Sequence, residues 1–212
     1  MTSIYLVRHG QTAWNKEEIF RGRADIPLNE TGLKEAELAA EYFRGLKIDH
    51  IYSSPLSRAY QTAERIARVC SLEVQRLEGL VDMSFGSWEG RPLEEVKREN
   101  EELYRLWRES PHLVHFPGGE GLDHVRNRSM AALEALLRLH PEETLILVSH
   151  RVVNKVLICA VLGLDNSHFW QIGQDTTAIN LIHYRHGKFV LALMNETCHL
   201  KPLQALRLRR DF

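Results

Sequence analysis

Reactive side chains follow the short apolar runs of this sequence, close to the points where those runs end. The set combines two imidazoles, two guanidinium groups and a carboxylate that are far apart along the chain: Arg8, His9, Arg58, Asp82 and His150. Guanidinium groups present fixed forks of N–H donors that suit phosphate oxygens. A neutral imidazole can act as a covalent nucleophile, a second can stabilise charge on the transferred group, and a carboxylic acid can protonate a leaving oxygen. Together these groups describe phosphoryl transfer through a phosphohistidine.

The apolar patterning predicts the elements that bring these groups together. Continuous apolar runs at 4–7, 51–53 and 144–148 are typical of short strands buried on both faces. Helical spacing of apolar residues follows each run, and this alternation implies a three-layer α/β/α fold with a mainly parallel sheet. Because ligands bind beyond the carboxyl ends of strands in open α/β sheets, we expect the reactive side chains to meet at that edge.

The remaining elements complete this architecture. We predict a third strand at 72–77, a helix over 122–139, a helix over 152–162 and a closing hairpin at 178–184 and 189–194. Ser54 and Pro55 read as the N-cap and first residue of a helix, whose N-terminus would add positive potential to the site. The charged, helical stretch at about 80–121 is interpreted as an insertion or lid over one end of the sheet. The basic tail, 206–210, is interpreted as a solvated terminus.

Composition limits the class of protein. The 212 residues carry 27 Lys and Arg against 28 Asp and Glu, a net charge of -1, with 44% hydrophobic and 26% charged residues. These fractions are typical of one soluble globular domain spanning 1–212 and exclude a disordered chain. The balanced charge disfavours nucleic-acid binding, and no apolar run approaches the roughly 18 residues that cross a membrane. Three scattered cysteines and no signal peptide favour the cytoplasm.

An ordered series of motifs resembles the histidine phosphatase superfamily, whose fold is called phosphoglycerate mutase-like. The first motif is Leu6-Val7-Arg8-His9-Gly10-Gln11-Thr12-Ala13-Trp14-Asn15. The resemblance continues through Gly22, Asp25, Pro27-Leu28 and Gly32, and then through the segments 53–63, 85–90, 118–120 and 148–150. Because these motifs span nearly the whole chain in order, they are far more specific than a lone Arg-His-Gly.

The resemblance implies a role for each matching residue. His9 would be the nucleophile that becomes phosphorylated, and His150 would assist by binding the phosphoryl group. Further phosphate-binding positions are Arg8, Asn15, Arg21 and Arg58. The family usually has a glutamate as proton donor shortly before the Gly-x-Trp-x-Gly stretch, whereas this chain has Asp82 there, with Glu89 as a nearby rival.

Substrate selectivity is predicted to depend on Gly22, Phe85 and His115. The segments 111–120 and 197–200 look similar to metal-independent phosphoserine phosphatases of the family. Those enzymes tend to have a polar histidine where this chain has Phe85. Phosphoserine, a phosphoglycerate derivative and α-ribazole phosphate therefore all stay open. The tryptophans Trp88, Trp107 and Trp170 are assigned to packing.

Three functions compete at this point. The favoured one is a phosphomonoesterase that acts on a small phosphorylated metabolite. The alternative is a cofactor-dependent phosphoglycerate mutase, which uses the same phosphohistidine but usually carries a longer insertion over the site. A remote alternative is an inactive scaffold, disfavoured because His9 and both arginines are retained. The favoured function requires no cofactor and no metal. The resemblance suggests a homodimer, while the balanced charge and the short apolar runs indicate no nucleic-acid or membrane partner.

Overall fold

Six strands form a single sheet in this chain. The structure is a computed structural model that describes the backbone of residues 1–206 and the side chains of residues 1–203; the basic tail from residue 207 onward lies outside the described residues. The strands are β1 (Thr2–Arg8), β2 (His50–Ser53), β3 (Val74–Arg76), β4 (Thr144–Ser149), β5 (Ile179–Arg185) and β6 (Lys188–Glu196).

The order of the strands is β3-β2-β4-β1-β5-β6. β1 to β4 run parallel to one another. β5 pairs antiparallel with β1, and β6 pairs antiparallel with β5 to form the predicted hairpin. The register pairs Arg8 with Ser149 and Ser53 with Val148. Three neighbouring strands therefore end at the same level, so the residues that follow them are brought to one edge of the sheet.

Helices cover both faces of this sheet. They are α1 (Ala13–Lys16), α2 (Glu30–Tyr42), α3 (Ser57–Cys70), α4 (Leu93–Glu99), α5 (Glu101–Glu109), α6 (Leu122–Leu139) and α7 (Arg151–Val161). α2 packs against α3, and α6 packs against α7. The sequence prediction of a three-layer α/β fold is confirmed. Among the described residues, no helix is both long enough and apolar enough to cross a membrane.

The two layers of helices bury two separate apolar clusters against the sheet. Alternate residues of β4 point to opposite faces, so Leu145 and Leu147 belong to one cluster while Ile146 and Val148 belong to the other. All four side chains are at most 1% exposed. Burial on both faces explains why this strand reads as a continuous apolar run rather than as an alternating one.

Residues 80–121, here called the cover segment, contribute α4, α5 and two short 3₁₀ turns, Gly86–Trp88 and Pro111–Leu113. Their aromatic side chains are packed edge to face around Phe116, whose ring centroid lies 4.8 to 5.3 Å from those of Phe85, Trp88 and Trp107. All four are buried and belong to the larger apolar cluster. The cover segment is thus fixed to the rest of the chain by a shared core.

One predicted helix start is wrong. α3 begins at Ser57 with Leu56 as its N-cap, two residues later than expected, so Ser54 and Pro55 precede the helix. The carboxylate of Asp25 accepts hydrogen bonds from the backbone N–H of Ser57 at 2.6 Å and from its hydroxyl at 2.8 Å. Asp25 therefore occupies the N-terminus that was expected to attract the substrate's phosphate.

Candidate active site

His9 lies directly beyond the end of β1, where its ring is held in one orientation. Its Nδ1 atom is 2.7 Å from the carbonyl oxygen of Gly10. A carbonyl oxygen only accepts hydrogen bonds, so Nδ1 must carry the proton and donate it. This tautomer leaves the lone pair on Nε2. His9 is 1% exposed and lines a cavity at this edge of the sheet, so its second nitrogen is the one equipped to act as a nucleophile.

His150 lies beside His9, with the two ring centroids 5.1 Å apart. Its Nε2 atom is 2.7 Å from the hydroxyl oxygen of Ser54, and its Nδ1 atom is 3.6 Å from Asp82 Oδ2. Ser54, which was expected to cap a helix, instead orients this imidazole. Two histidines separated by 141 positions along the chain are thus neighbours at the end of the sheet.

Two buried guanidinium groups accompany the histidines. Arg58 donates from Nη2 to the carbonyl oxygen of Gly22 at 2.7 Å and from Nη1 to that of Ala24 at 2.8 Å. Arg8 donates from Nη1 to the carbonyl oxygen of Gln174 at 2.7 Å. Both side chains are 0% exposed. Neutral carbonyl oxygens hold both groups in place at these contacts, and Arg58 also pairs with the carboxylate of Asp82.

Burial and the neighbouring cations hold both histidines in the neutral form. Burial is the main reason that the pKa of His9 lies well below 6.5, and the charges of His150, Arg58, Arg8 and Arg21 lower it further. The pKa of His150 is also lowered well below 6.5, mainly by burial and then by Arg58. Both imidazoles are therefore unprotonated at neutral pH, which is the state a nucleophile requires.

These lowered pKa values predict that the protein loses stability in mild acid. The unfolded chain protonates its histidines near pH 6.5, whereas the folded chain keeps His9, His150 and His199 (pKa about 4) neutral. The unfolded state then binds more protons, so the free energy of unfolding falls by about 1.4 kcal/mol per pH unit for each such histidine below pH 6.5. Urea unfolding between pH 8 and 5 measures this slope.

The matched variant for this measurement is His150→Asn, which keeps a neutral polar side chain but does not titrate. It should have a shallower slope by about 1.4 kcal/mol per pH unit below pH 6.5. His124→Asn, which alters an exposed histidine outside the site, should leave the slope unchanged. An unaltered slope in His150→Asn would contradict the assignment of a neutral buried imidazole.

The structure distinguishes the two candidate proton donors by their surroundings. Asp82 is 6% exposed and lines the cavity, and its Oδ2 atom accepts a hydrogen bond from Arg58 Nη2 at 3.1 Å. Glu89 instead accepts hydrogen bonds from the hydroxyl of Ser84 at 3.0 Å and the backbone N–H of Phe85 at 2.9 Å. Glu89 thus stabilises a turn, whereas Asp82 lies next to His150 and Arg58.

The cavity also contains most of the other residues singled out in the sequence, namely Asn15, Arg21, Gly22 and Phe85. Asn15 additionally accepts hydrogen bonds through Oδ1 from the backbone N–H and hydroxyl of Thr12, so it caps α1 as well. His115 does not line this cavity: it is exposed, and its ring lies 5.3 Å from that of His124. The structure therefore separates His115 from the other selectivity candidates.

Sequence reasoning missed two arginines that line the cavity. Arg151 is the first residue of α7, and Arg108 lies near the end of α5, with its guanidinium carbon 4.9 Å from the ring centroid of Trp170. Trp107 and Trp170, which were assigned to packing, line the cavity too. Arg151 could have been identified from the sequence, because the helix dipole disfavours a cation in the first turn of a helix unless an anion binds nearby. Nothing similar marked Arg108, since α5 carries two arginines, Arg105 and Arg108, with no difference in pattern between them.

Comparison with known proteins gives the family. The model of the histidine phosphatase superfamily, branch 1, matches residues 4–197. The chain belongs to this superfamily. Phosphoserine phosphatase 1 of Hydrogenobacter thermophilus is 40% identical over 200 residues, which cover 94% of this chain and 95% of that protein.

Solved structures of the superfamily have the same fold. Bacillus stearothermophilus YhfR superposes with a TM-score of 0.91 at 29% identity, covering 95% of this chain and 100% of that one. A mutant phosphoserine phosphatase of Entamoeba histolytica, solved in complex with phosphoserine, has a TM-score of 0.85 at 31% identity, covering 94% and 100%. Together with the family model, these relatives support a phosphatase, so the chain is a phosphoric monoester hydrolase and the mutase alternative is weaker.

Proposed function

We propose that this histidine phosphatase hydrolyses small phosphomonoesters that carry a carboxylate, through a phosphohistidine at His9. The observation that carries this proposal is the neutral imidazole of His9, whose Nδ1 is fixed by Gly10 while buried arginines surround it. The cationic surroundings suit a phosphate dianion, and the lone pair on Nε2 suits attack on phosphorus.

The first chemical step transfers the phosphoryl group to the enzyme. Arg8, Arg58 and His150 bind the phosphate oxygens, and the negative charge of the substrate replaces that of Asp82 as the partner of Arg58. His9 Nε2 then forms a bond to phosphorus while the ester P–O bond breaks. Asp82 takes up a proton from the solvent when the phosphate displaces it from Arg58. It then gives that proton to the departing alcohol oxygen.

The second step returns the enzyme to its starting state. The Asp82 carboxylate takes a proton from water as the water oxygen forms a bond to phosphorus. The P–N bond to His9 breaks, inorganic phosphate leaves, and Asp82 releases its proton to water as it pairs with Arg58 again. Asp82 therefore acts as acid in the first step and as base in the second, which its place beside both Arg58 and His150 allows.

The charge of the cavity supports a substrate with a second anionic group. Arg21, Arg108 and Arg151 line it, against the acidic side chains of Glu18 and Asp82. A small phosphomonoester that places its phosphate at His9 would present its alcohol part to these walls. The similarity to a protein named phosphoserine phosphatase points to the same class of substrate. Phe85 gives the cavity an apolar wall where phosphoserine phosphatases of the family tend to have a polar histidine. We therefore propose carboxylate-bearing phosphomonoesters as a class and not phosphoserine alone.

Two matched pairs of substrates test this preference. Phosphoserine differs from phosphoethanolamine, and 3-phosphoglycerate from glycerol 3-phosphate, chiefly in the carboxylate. We expect kcat/KM to be about tenfold higher for the carboxylate-bearing member of each pair, since a charge-assisted hydrogen bond contributes about 1.5 kcal/mol. The Arg108→Gln variant should lose this tenfold preference. Its kcat/KM for phosphoethanolamine and glycerol 3-phosphate, which lack the carboxylate, should stay unchanged.

Arg105→Gln is the matched control, because Arg105 lies on the same helix, is 64% exposed and pairs with Glu109. It should leave both substrate pairs unaffected. Equal rates within each pair for the unaltered enzyme would disprove the preference for carboxylates. The phosphatase activity itself is measured separately as phosphate release in the presence of EDTA, and isomerisation of 3-phosphoglycerate without release would instead indicate a mutase.

A further inference from the structure

A second cluster of imidazole and carboxylate groups lies at the amino-terminal edge of the sheet, opposite the candidate active site. His50 is the first residue of β2, His140 caps the end of α6, and Glu143 immediately precedes β4. Glu143 Oε2 lies 2.7 Å from His140 Nδ1 and 3.2 Å from His50 Nε2. The three potential ligand atoms all lie within 4.8 Å of one another.

The backbone that carries these residues is cross-linked. The hydroxyl of Thr2 donates to the carbonyl oxygen of His140 at 3.1 Å, and the backbone N–H of Ser3 donates to that of Glu143 at 3.0 Å. β1 thereby fixes both ends of the turn between α6 and β4. The Cα positions of this turn are thus set by the sheet, so the side chains are held near one another before any ligand binds.

The far side of the His140 ring is also held. Its Nε2 atom is 2.8 Å from the hydroxyl oxygen of Tyr52, a residue that is 5% exposed. When Nε2 carries the proton and donates it to this oxygen, Nδ1 presents its lone pair toward Glu143 and His50. A second ring nitrogen bound to an oxygen is the usual arrangement of a histidine that coordinates a metal ion.

We propose that His50, His140 and Glu143 form a Zn²⁺ site that is separate from the phosphatase centre. Two imidazoles and one carboxylate are a ligand set that Zn²⁺ takes in proteins, with water in the fourth position. Water can reach the cluster because the side chains of His50 and Glu143 are 34% and 38% exposed. Zinc bonds of 2.0–2.2 Å in a tetrahedron separate ligand atoms by about 3.4 Å, so Glu143 has to move away from His140 by roughly 0.7 Å.

The consequence of binding is a link between three parts of the fold. The ion joins the start of β2, the end of α6 and the residue before β4. It therefore stabilises the folded chain without entering the chemistry at the opposite edge of the sheet. In the absence of metal, both imidazoles can instead donate N–H hydrogen bonds to one carboxylate oxygen of Glu143. The experiment below distinguishes this hydrogen-bonded cluster from a metal site.

The test is a titration of the metal-free, full-length protein with Co²⁺, which reports tetrahedral coordination by its visible absorption, followed by displacement with Zn²⁺. We expect one Co²⁺ ion per chain with a tetrahedral spectrum. His50→Ala and Glu143→Gln should each raise the dissociation constant by at least about tenfold, and Tyr52→Phe should raise it by about tenfold with an unchanged spectrum. Zn²⁺ should raise the melting temperature of the unaltered protein and not that of His50→Ala.

Two control variants exclude binding elsewhere. His112→Ala removes an exposed histidine outside the cluster and should bind Co²⁺ like the unaltered protein. Cys198→Ser removes the exposed cysteine. Its Co²⁺ spectrum should equal that of the unaltered protein, with no thiolate charge-transfer band in either. Equal affinity and stoichiometry in His50→Ala and the unaltered protein would overturn the proposal. Phosphate release by His50→Ala in EDTA should match the unaltered enzyme, so a missing phosphatase activity would not be confused with a missing metal site.

Discussion

The His9→Ala variant is expected to lose turnover of every phosphomonoester, with kcat lowered by about 10⁴-fold or more. His9 is the one histidine among the side chains that line the described cavity, since His150 is fully buried beside it with Nε2 against the hydroxyl of Ser54. Alanine removes the nucleophile and leaves the buried arginines in place. The measurement is phosphate release under saturating substrate, with p-nitrophenyl phosphate and phosphoserine as the two substrates.

Trapping of the intermediate gives the same prediction a second readout. Acid-labile phosphate should remain attached to the unaltered enzyme after rapid quenching and should be missing from His9→Ala. Vanadate should still bind to the variant, since Arg8 and Arg58 are held by the carbonyl oxygens of Gln174, Gly22 and Ala24 and not by His9. The control is His124→Ala, which alters an exposed histidine. Near-normal turnover by His9→Ala would refute the phosphohistidine mechanism.

The Asp82→Asn variant is expected to separate substrates by their leaving groups. Asparagine can still accept the hydrogen bond from Arg58 but cannot give a proton to the departing oxygen. Rates on alkyl phosphates such as phosphoserine should fall by about 10²- to 10⁴-fold, the usual contribution of a general acid. The rate on p-nitrophenyl phosphate should fall by less than about tenfold, because p-nitrophenolate leaves without needing a proton. The ratio of the two rates is the measurement.

Glu89→Gln is the matched comparison for this second prediction. Because Glu89 holds the turn at Ser84 and Phe85, its substitution should lower thermal stability and reduce both rates by a similar factor. If Glu89→Gln instead shows the dependence on leaving group, and Asp82→Asn lowers both rates equally, the proton donor is Glu89 and the assignment of Asp82 is wrong.

The comparison of Asp82 with Glu89 illustrates the limit of sequence reasoning. Both are carboxylates a few residues apart in the cover segment, and the chain departs from the family pattern at this position. Only the packed structure distinguishes them, because it places Asp82 against Arg58 and His150, which come from other parts of the chain. The same holds for Ser54, whose local pattern indicated a helix cap although its hydroxyl is directed at His150.

The sequence by itself determined the three-layer α/β fold and the group of residues around His9. Burial on both faces leaves a continuous apolar run, and parallel strands end at a common edge, so local patterns and one topological rule were sufficient. Only the tertiary structure brought Arg108 and Arg151 into the cavity, removed His115 from it, and assembled His50, His140 and Glu143 at the opposite edge. The physical reason is that periodicity reports which face of an element is buried, whereas contacts between side chains distant in sequence depend on how the elements pack.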